Sequence, residues 1–317
     1  MNHPHLTNSV ITVKPIDFGY NEQTGADNEY QNQPKKSEVN SIRDKALLEF
    51  DACMDKLNQF GLETIVLDKT HTNSPLPDAI FPNNWLSTRA DGSISIYPMK
   101  TPNRQDEVQI DNVIHRLSIN GYKAQSTIDY RKKLFDSRTN NQLILEGTGS
   151  LIFHHPSNQL FAALSERCEQ KAVELYSEEM GYQLNLFHTL SQNGNPVYHT
   201  NVLMSCGEDF AVITKEVILS NEQPAVISKL ENCISDLLII SEEQMSENFC
   251  GNILQLNDKN NQPIITMSLS AYKGFKPEQI KALEKHGSLV VCDISTIEHI
   301  GGGSMRCMLA ENFLPKS

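Results

Sequence analysis

Strand pairs joined by tight turns, then a helix, then another strand, recur along this 317-residue chain. That order restricts the fold more than any single motif does. Residues 9–13, Ser-Val-Ile-Thr-Val, read as a strand rich in β-branched side chains. Residues 42–60 place Ala46, Leu47, Phe50, Cys53, Met54 and Leu57 at helical spacing, and Gly61 stops the helix. A strand at 64–67 follows. Strands at 84–89 and 93–97 flank the hairpin signal Asp91-Gly92, and a helix covers 107–120. Strands at 142–145, 150–153 and 160–164 precede a helix at 166–180. Strands at 184–190, 202–205 and 210–214 precede a helix at 225–232. Strands at 236–240, 253–256 and 264–267, a helix at 277–286 and a strand at 289–292 complete the series. The pattern is a ββαβ unit used roughly five times, architectural only, with no residue-level repeat. No low-complexity linker divides the chain, so one α/β domain over residues 1–317 is expected. The polar stretch 19–41 is long for a connection, and loops of that length are often functional or mobile.

Hydrophobic residues at 39% and charged residues at 21% describe a folded chain with a core. Twenty-seven basic against 39 acidic residues leave a net charge of −12, which argues against a nucleic-acid surface and is compatible with attracting a cationic small molecule. The seven cysteines are scattered, odd in number and without a Cys-x-x-Cys pair, which fits a reducing compartment. The first thirty residues lack an apolar signal core, and runs such as Leu237-Leu238-Ile239-Ile240 are far too short to span a bilayer. A cytoplasmic protein with a small-molecule partner, without membrane or nucleic acid, is expected; a homo-oligomer is compatible with this.

Four segments carry chemistry. In Gly301-Gly302-Gly303-Ser304-Met305-Arg306-Cys307 a thiol follows backbone without side chains, where a ligand can approach closely. A thiol attacks as thiolate, and an imidazolium or exposed N–H groups would favour that form. His199, before the apolar run Val202-Leu203-Met204, is placed to take and give a proton as a residue at a strand edge. Glu146 ends a strand beside Gly147, so its carboxylate points into a mouth and orients His199 or holds a substrate N–H. In the segment 78–85, Asp78 suits an ammonium group, Asn83 and Asn84 offer donors and acceptors, and Trp85 packs beneath them. The pair His154-His155 has no third ligand at a suitable spacing and reads as structural. No metal is expected.

Phe81-Pro82-Asn83-Asn84-Trp85, Leu145-Glu146-Gly147-Thr148-Gly149, Leu164-Ser165-Glu166-Arg167, His199-Thr200-Asn201 and Gly301-Gly302-Gly303-Ser304-Met305-Arg306-Cys307-Met308 together resemble the guanidino-group-modifying superfamily. Arginine deiminases, dimethylarginine dimethylaminohydrolases, amidinotransferases and arginine dihydrolases belong to it, and the chain is most similar to citrulline-utilisation hydrolases. The resemblance spans about residues 10–314. It implies the pentein fold, a five-bladed β/α propeller of ββαβ units with pseudo-fivefold symmetry and the site on the central axis. It also implies that Cys307 is the nucleophile, His199 the general acid and base, and Glu146 its carboxylate partner. Arg167 would bind a substrate α-carboxylate as a bidentate fork. Asp78 would face the α-amino end, and Asn28 of the polar loop would reach the substrate. No cofactor is implied.

Where deiminases of this group carry carboxylates, this chain has Asn84 and Asn201. A carboxylate holds a guanidinium cation, whereas an asparagine can donate to a carbonyl oxygen. The expectation is therefore a cysteine-dependent hydrolase that takes a guanidino or ureido carbon to ornithine and ammonia. A deiminase stopping at citrulline, an amidinotransferase and a non-catalytic amino-acid binder are the alternatives.

Overall fold

The computed structural model describes residues 5–68 and 74–316, without the side chains of residues 36 and 40. Seventeen strands occur among the described residues: β1 Ser9–Val13, β2 Glu63–Leu67, β3 Leu86–Thr88, β4 Ser93–Ile96, β5 Ser126–Asp129, β6 Phe135–Asp136, β7 Asn141–Gln142, β8 Ile152–His154, β9 Gln159–Ala163, β10 Gln183–Phe187, β11 Met204–Cys206, β12 Phe210–Ile213, β13 Asp236–Ile239, β14 Leu254–Asn257, β15 Pro263–Ser268, β16 Ser288–Cys292 and β17 Ala310–Glu311. Apart from the small β6–β7 hairpin they form five three-stranded sheets: β17-β1-β2, β3-β4-β5, β8-β9-β10, β11-β12-β13 and β14-β15-β16.

All five share one pattern. The first two strands run antiparallel, as in Leu86 opposite Ile96 and Met204 opposite Ile213. The second and third run parallel, as in Val10 beside Thr64 and Ile264 beside Ser288. A parallel pair needs a crossover. Helices Val39–Gln59, Ile110–Ile119, Gln170–Met180 and Gln223–Glu231 supply four of them, and the short helices Leu269–Gly274 and Pro277–Leu283 supply the fifth. In the first sheet the opening strand comes from the far end of the chain, with Ile11 opposite Ala310. The ββαβ order and the mixed α/β class expected from the pattern are both present.

The middle strands are buried on both faces, and on β4 one of those faces is serine, with Ser93 and Ser95 alternating with Ile94 and Ile96. Val10, Ile94, Phe161, Val212 and Ile265 are fully buried. Trp85 is buried with Ile11, Leu86 and Ile94, as its apolar bulk suggested.

Several boundaries differ from the sequence reading. The first helix begins at Val39 rather than residue 42, so the polar stretch ends earlier. The strand expected at 142–145 is only the pair Asn141–Gln142, with Leu145 in an isolated bridge to Cys168. The strand expected at 202–205 is Met204–Cys206, and Val202 and Leu203 belong to a helical turn, Thr200–Leu203. The helix expected from 166 starts at Gln170.

Candidate active site

Each three-stranded unit begins with a short segment just before its first strand, and these segments hold or flank most of the site residues. Pro82–Asn84 precedes β3, Gly147–Ser150 precedes β8, and Thr200–Leu203 precedes β11. Asn252 lies two residues before β14, and Cys307 lies three before β17.

The helix Ser295–Gly301 ends where Gly302 adopts φ +63°, a left-handed conformation that a side chain disfavours. The chain then turns into the Cys307 loop. The space beside these glycines is filled by Phe81, Asn28 and Gln31 rather than left for a ligand, which corrects the reading of an open glycine run. Asn28 donates to Gly302 O at 3.4 Å and accepts from Tyr30 N at 3.1 Å. Cys307 is buried, and the Nδ2 groups of Asn201 and Asn252 each lie 3.3 Å from its sulfur. Burial pushes the thiol above its ordinary value, against the pull of these amides and of Arg306.

His199 sits immediately before the Thr200–Leu203 turn. Its Nε2 is 2.8 Å from Glu146 Oε2, and both side chains are almost wholly buried. Glu146 therefore does not project into an open mouth, as expected from its place beside glycine. Burial alone would raise its carboxyl, but Arg167 and His199 beside it hold it at about 2. Its other oxygen accepts from Lys100 N at 2.9 Å. Burial lowers His199, more strongly than the Glu146 partner raises it, so the imidazole is neutral at pH 7. Asn201, two residues beyond His199, reaches the Cys307 sulfur.

Gly149 lets the next amide approach. A Cβ there would meet Asn84 Nδ2 at 2.3 Å and the His199 ring at 3.0 Å. Asn84 is held by a residue that the sequence reading missed. Arg104, buried and paired with Glu107, donates from one guanidinium nitrogen to Asn84 Oδ1 at 2.8 Å. A guanidinium only donates, so the Asn84 oxygen is committed and its amide N–H groups face away from Arg104. Asn84 Nδ2, Asn201 Oδ1 and both polar atoms of the Asn83 side chain are buried without a hydrogen-bond partner.

Arg167 takes its place against Tyr198, whose ring lies 4.9 Å from the guanidinium carbon. Its fork is occupied by Asp27 of the N-terminal segment, which accepts from Nε at 3.3 Å and from a terminal nitrogen, while Glu146 lies 3.6 Å from the other terminal nitrogen. Lys100 Nζ also reaches Asp27, at 2.6 Å. Despite partial burial, Arg167 and Lys100 hold Asp27 below the usual carboxylate range. Asp78 accepts from Asn21 at 2.7 Å, Thr24 at 2.8 Å and Gln31 at 3.5 Å. A cleft lined by Asp27, Glu166, Arg167, Pro196 and Tyr198 opens at this end of the site.

Asp27, Lys100, Arg104 and Asn252 were not singled out from the sequence. A signal for Asn252 existed: Asn84-Trp85-Leu86, Asn201-Val202-Leu203 and Asn252-Ile253-Leu254 share an Asn-x-Leu pattern at equivalent places in three units. His154 is explained structurally, with Ser157 on Nδ1 and Glu208 O on Nε2. Among the described residues no group of three or more His, Cys, Asp or Glu could hold a metal ion.

No curated protein matches this chain. Among solved structures, the N-terminal domain of ArgZ, an arginine dihydrolase from cyanobacteria, in a serine-for-cysteine variant bound to substrate, superposes with a TM-score of 0.69 at 13% identity, covering 96% of this chain and 97% of that one. AgrE in an alanine-for-cysteine variant with L-arginine gives 0.68 at 13% identity, over 96% of this chain and 40% of that one. A dimethylarginine dimethylaminohydrolase in a glycine-for-histidine variant, as an adduct with S-methyl-L-thiocitrulline, gives 0.63 at 14% identity, over 97% and 100%. At such identities these likenesses establish the fold. The family model for eukaryotic N,N dimethylarginine dimethylhydrolase matches residues 14–314. The chain belongs to that family, and so to the guanidino-group-modifying enzymes of the pentein superfamily.

Proposed function

We propose that this protein is a cysteine-dependent hydrolase acting on the guanidino or ureido carbon of an arginine-derived amino acid, with a ureido substrate such as citrulline favoured. In this reading the five sheets are the blades of a closed propeller, and the segments before their first strands ring the axis.

One observation carries the substrate preference. A buried amide donor, Asn84 Nδ2, and a buried acceptor, Asn201 Oδ1, both lack partners in the protein, and Asn201 is in contact with the Cys307 sulfur. An unmet buried polar group costs about 1–3 kcal/mol, so the pair calls for a ligand that accepts at one point and donates at another. A ureido group does both, through its C=O and its NH2. A guanidinium only donates, and Arg104 prevents Asn84 from turning its oxygen to meet it.

In the mechanism we propose, His199 is the base that takes the Cys307 proton when substrate arrives. The thiolate attacks the ureido carbon, His199 returns the proton to the leaving nitrogen, and ammonia departs, leaving a thiocarbamate on sulfur. His199 then takes a proton from water, which attacks the same carbon and frees the thiol. The released carbamate breaks down to ornithine and carbon dioxide. Glu146 keeps the imidazole oriented and stabilises it when protonated. Arg167 takes the substrate carboxylate in place of Asp27, and Asp78 and Asn28 hold the segment above the amino end.

Purified protein is incubated separately with citrulline, arginine, dimethylarginine and agmatine, and ornithine and ammonia are measured. Ornithine and ammonia from citrulline are expected. Family membership supports a second reading, hydrolysis of dimethylarginine. Release of dimethylamine and citrulline, with citrulline itself untouched, would replace the first reading by the second.

A further inference from the structure

We propose that Asn252 is the fixed N–H donor that favours the anionic form of the Cys307 sulfur once His199 takes its proton; the inference rests on the reading of Cys307 as nucleophile and adds to it a residue that positions and polarises that nucleophile.

The Asn252 amide cannot turn round. Its Oδ1 accepts from the backbone N–H of Arg306 at 2.9 Å and of Cys307 at 3.4 Å, groups that only donate. Its Nδ2 donates to the carbonyl of Asn201 at 2.7 Å, a group that only accepts. The remaining N–H is thereby aimed at the Cys307 sulfur, 3.3 Å away, from a side chain with no solvent exposure. Asn201 also faces the sulfur, but its oxygen is free and no second contact fixes its side chain. It can turn toward a ligand, whereas Asn252 stays.

An N–H directed at sulfur favours the anion over the thiol. The donor acts beside the backbone N–H of Ser304 and the Asn201 amide, which favour the anion too, and of the two side-chain amides it is the one held in place. Of the charged and titratable groups, Arg306 favours the anion, while Tyr198, pushed up by burial and by the Cys307 charge, stays an uncharged phenol, and burial lowers the His199 imidazole. Asn252 also holds the backbone of Arg306 and Cys307 to the neighbouring unit's Asn201, so the loop that carries the thiol is positioned by the same side chain that polarises it.

The test reads the sulfur directly. Alkylation of Cys307 by iodoacetamide is followed from pH 7 to 11 through the mass of the peptide that holds it, in the wild type, Asn252→Ala and Asn252→Asp. Both variants should raise the apparent thiol pKa by about one unit or more, which slows alkylation at pH 8 by about tenfold. A purely structural role predicts the opposite sign for Asn252→Ala, because a loosened loop admits water and relieves the burial that raises the thiol. An unchanged or lowered pKa in Asn252→Ala overturns the proposal. Should that variant not fold, Asn252→Asp carries the test, since its carboxylate still accepts from both backbone N–H groups; a wild-type profile there overturns the proposal equally. Alkylation needs no substrate. A raised pKa in a protein that releases no ammonia therefore keeps the thiolate donor and removes the substrate assignment, and a wild-type profile in a protein that makes ornithine does the reverse.

Discussion

Asn84 and Cys307 carry the sharpest consequences of single side chains. Cys307→Ala should abolish turnover, and wild-type protein quenched during turnover should carry an adduct on the Cys307 peptide; residual activity in the variant would remove covalent catalysis. Asn84→Asp places one carboxylate oxygen on Arg104 and turns the other toward the site as an acceptor. The donor to the ureido oxygen is lost and an acceptor for a guanidinium is gained. Citrulline turnover should fall by about 10–100-fold, with citrulline accumulating from arginine. An unchanged product ratio would separate Asn84 from substrate choice. The thiol is pushed above its ordinary value by burial and the imidazole is neutral, so the thiolate fraction grows as pH rises. The rate of covalent adduct formation should climb from pH 7 to 9; a flat profile would mean that the proton is already transferred in the free enzyme. Cys307 and Glu146 were singled out because they stand close to glycines in the chain, and His199 because it stands among small polar residues before an apolar run. Asn252 and Arg104 were not, because an asparagine before a strand reads as a turn and an arginine three residues from a glutamate reads as a helix-surface pair. Only the long-range contacts, Asn252 with Cys307 and Arg104 with Asn84, separate these residues from the ordinary case.

Elements with a clear period were readable and short ones were not. The helix Val39–Gln59 and the strand Ser9–Val13 follow from spacing and β-branching. Val202 and Leu203, expected in the strand at 202–205, close the Thr200–Leu203 turn instead, and the strand starts at Met204, because a short apolar run cannot separate the two periods. The helix Ser295–Gly301 lay unseen behind the glycine run, and it matters to the site, since its Glu298 accepts from Ser304 in the Cys307 loop. Burial pushes the Glu298 carboxyl up to about 7 from an ordinary 4.5. A folded value above the unfolded one means that the stabilising contribution is complete below pH 4.5 and is lost as pH rises through 7. The wild type should therefore lose part of its thermal stability between pH 6 and 8, and Glu298→Gln should reduce that loss. Melting temperatures of both proteins at the two pH values decide it; an equal drop in each would show that Glu298 is not the titrating group.

At the scale of the whole molecule, the N-terminal segment spans three units. Asn21, Thr24 and Gln31 reach Asp78, Asp27 binds Arg167 and Lys100, and Asn28 and Gln31 meet Gly302 and Gly301. The fivefold alternation showed in the sequence because each unit repeats a period. This strap did not, since polar side chains without a period say nothing about where they land. Cys307 is buried, so a substrate must displace something to reach it. Asp27 presents a carboxylate to Arg167, the chemistry we propose for the substrate's own carboxylate. The two then compete for one guanidinium. Asp27→Asn keeps the shape and removes the charge, so KM for citrulline should fall by about threefold to tenfold, the worth of roughly 1 kcal/mol of partly screened ion pair. The rate at saturation should change less, because Asp27 touches neither Cys307 nor His199 in the contacts seen here. Steady-state kinetics on the two proteins test this. A KM that is unchanged or raised would mean that Asp27 is no competitor and that the strap holds the substrate in place instead.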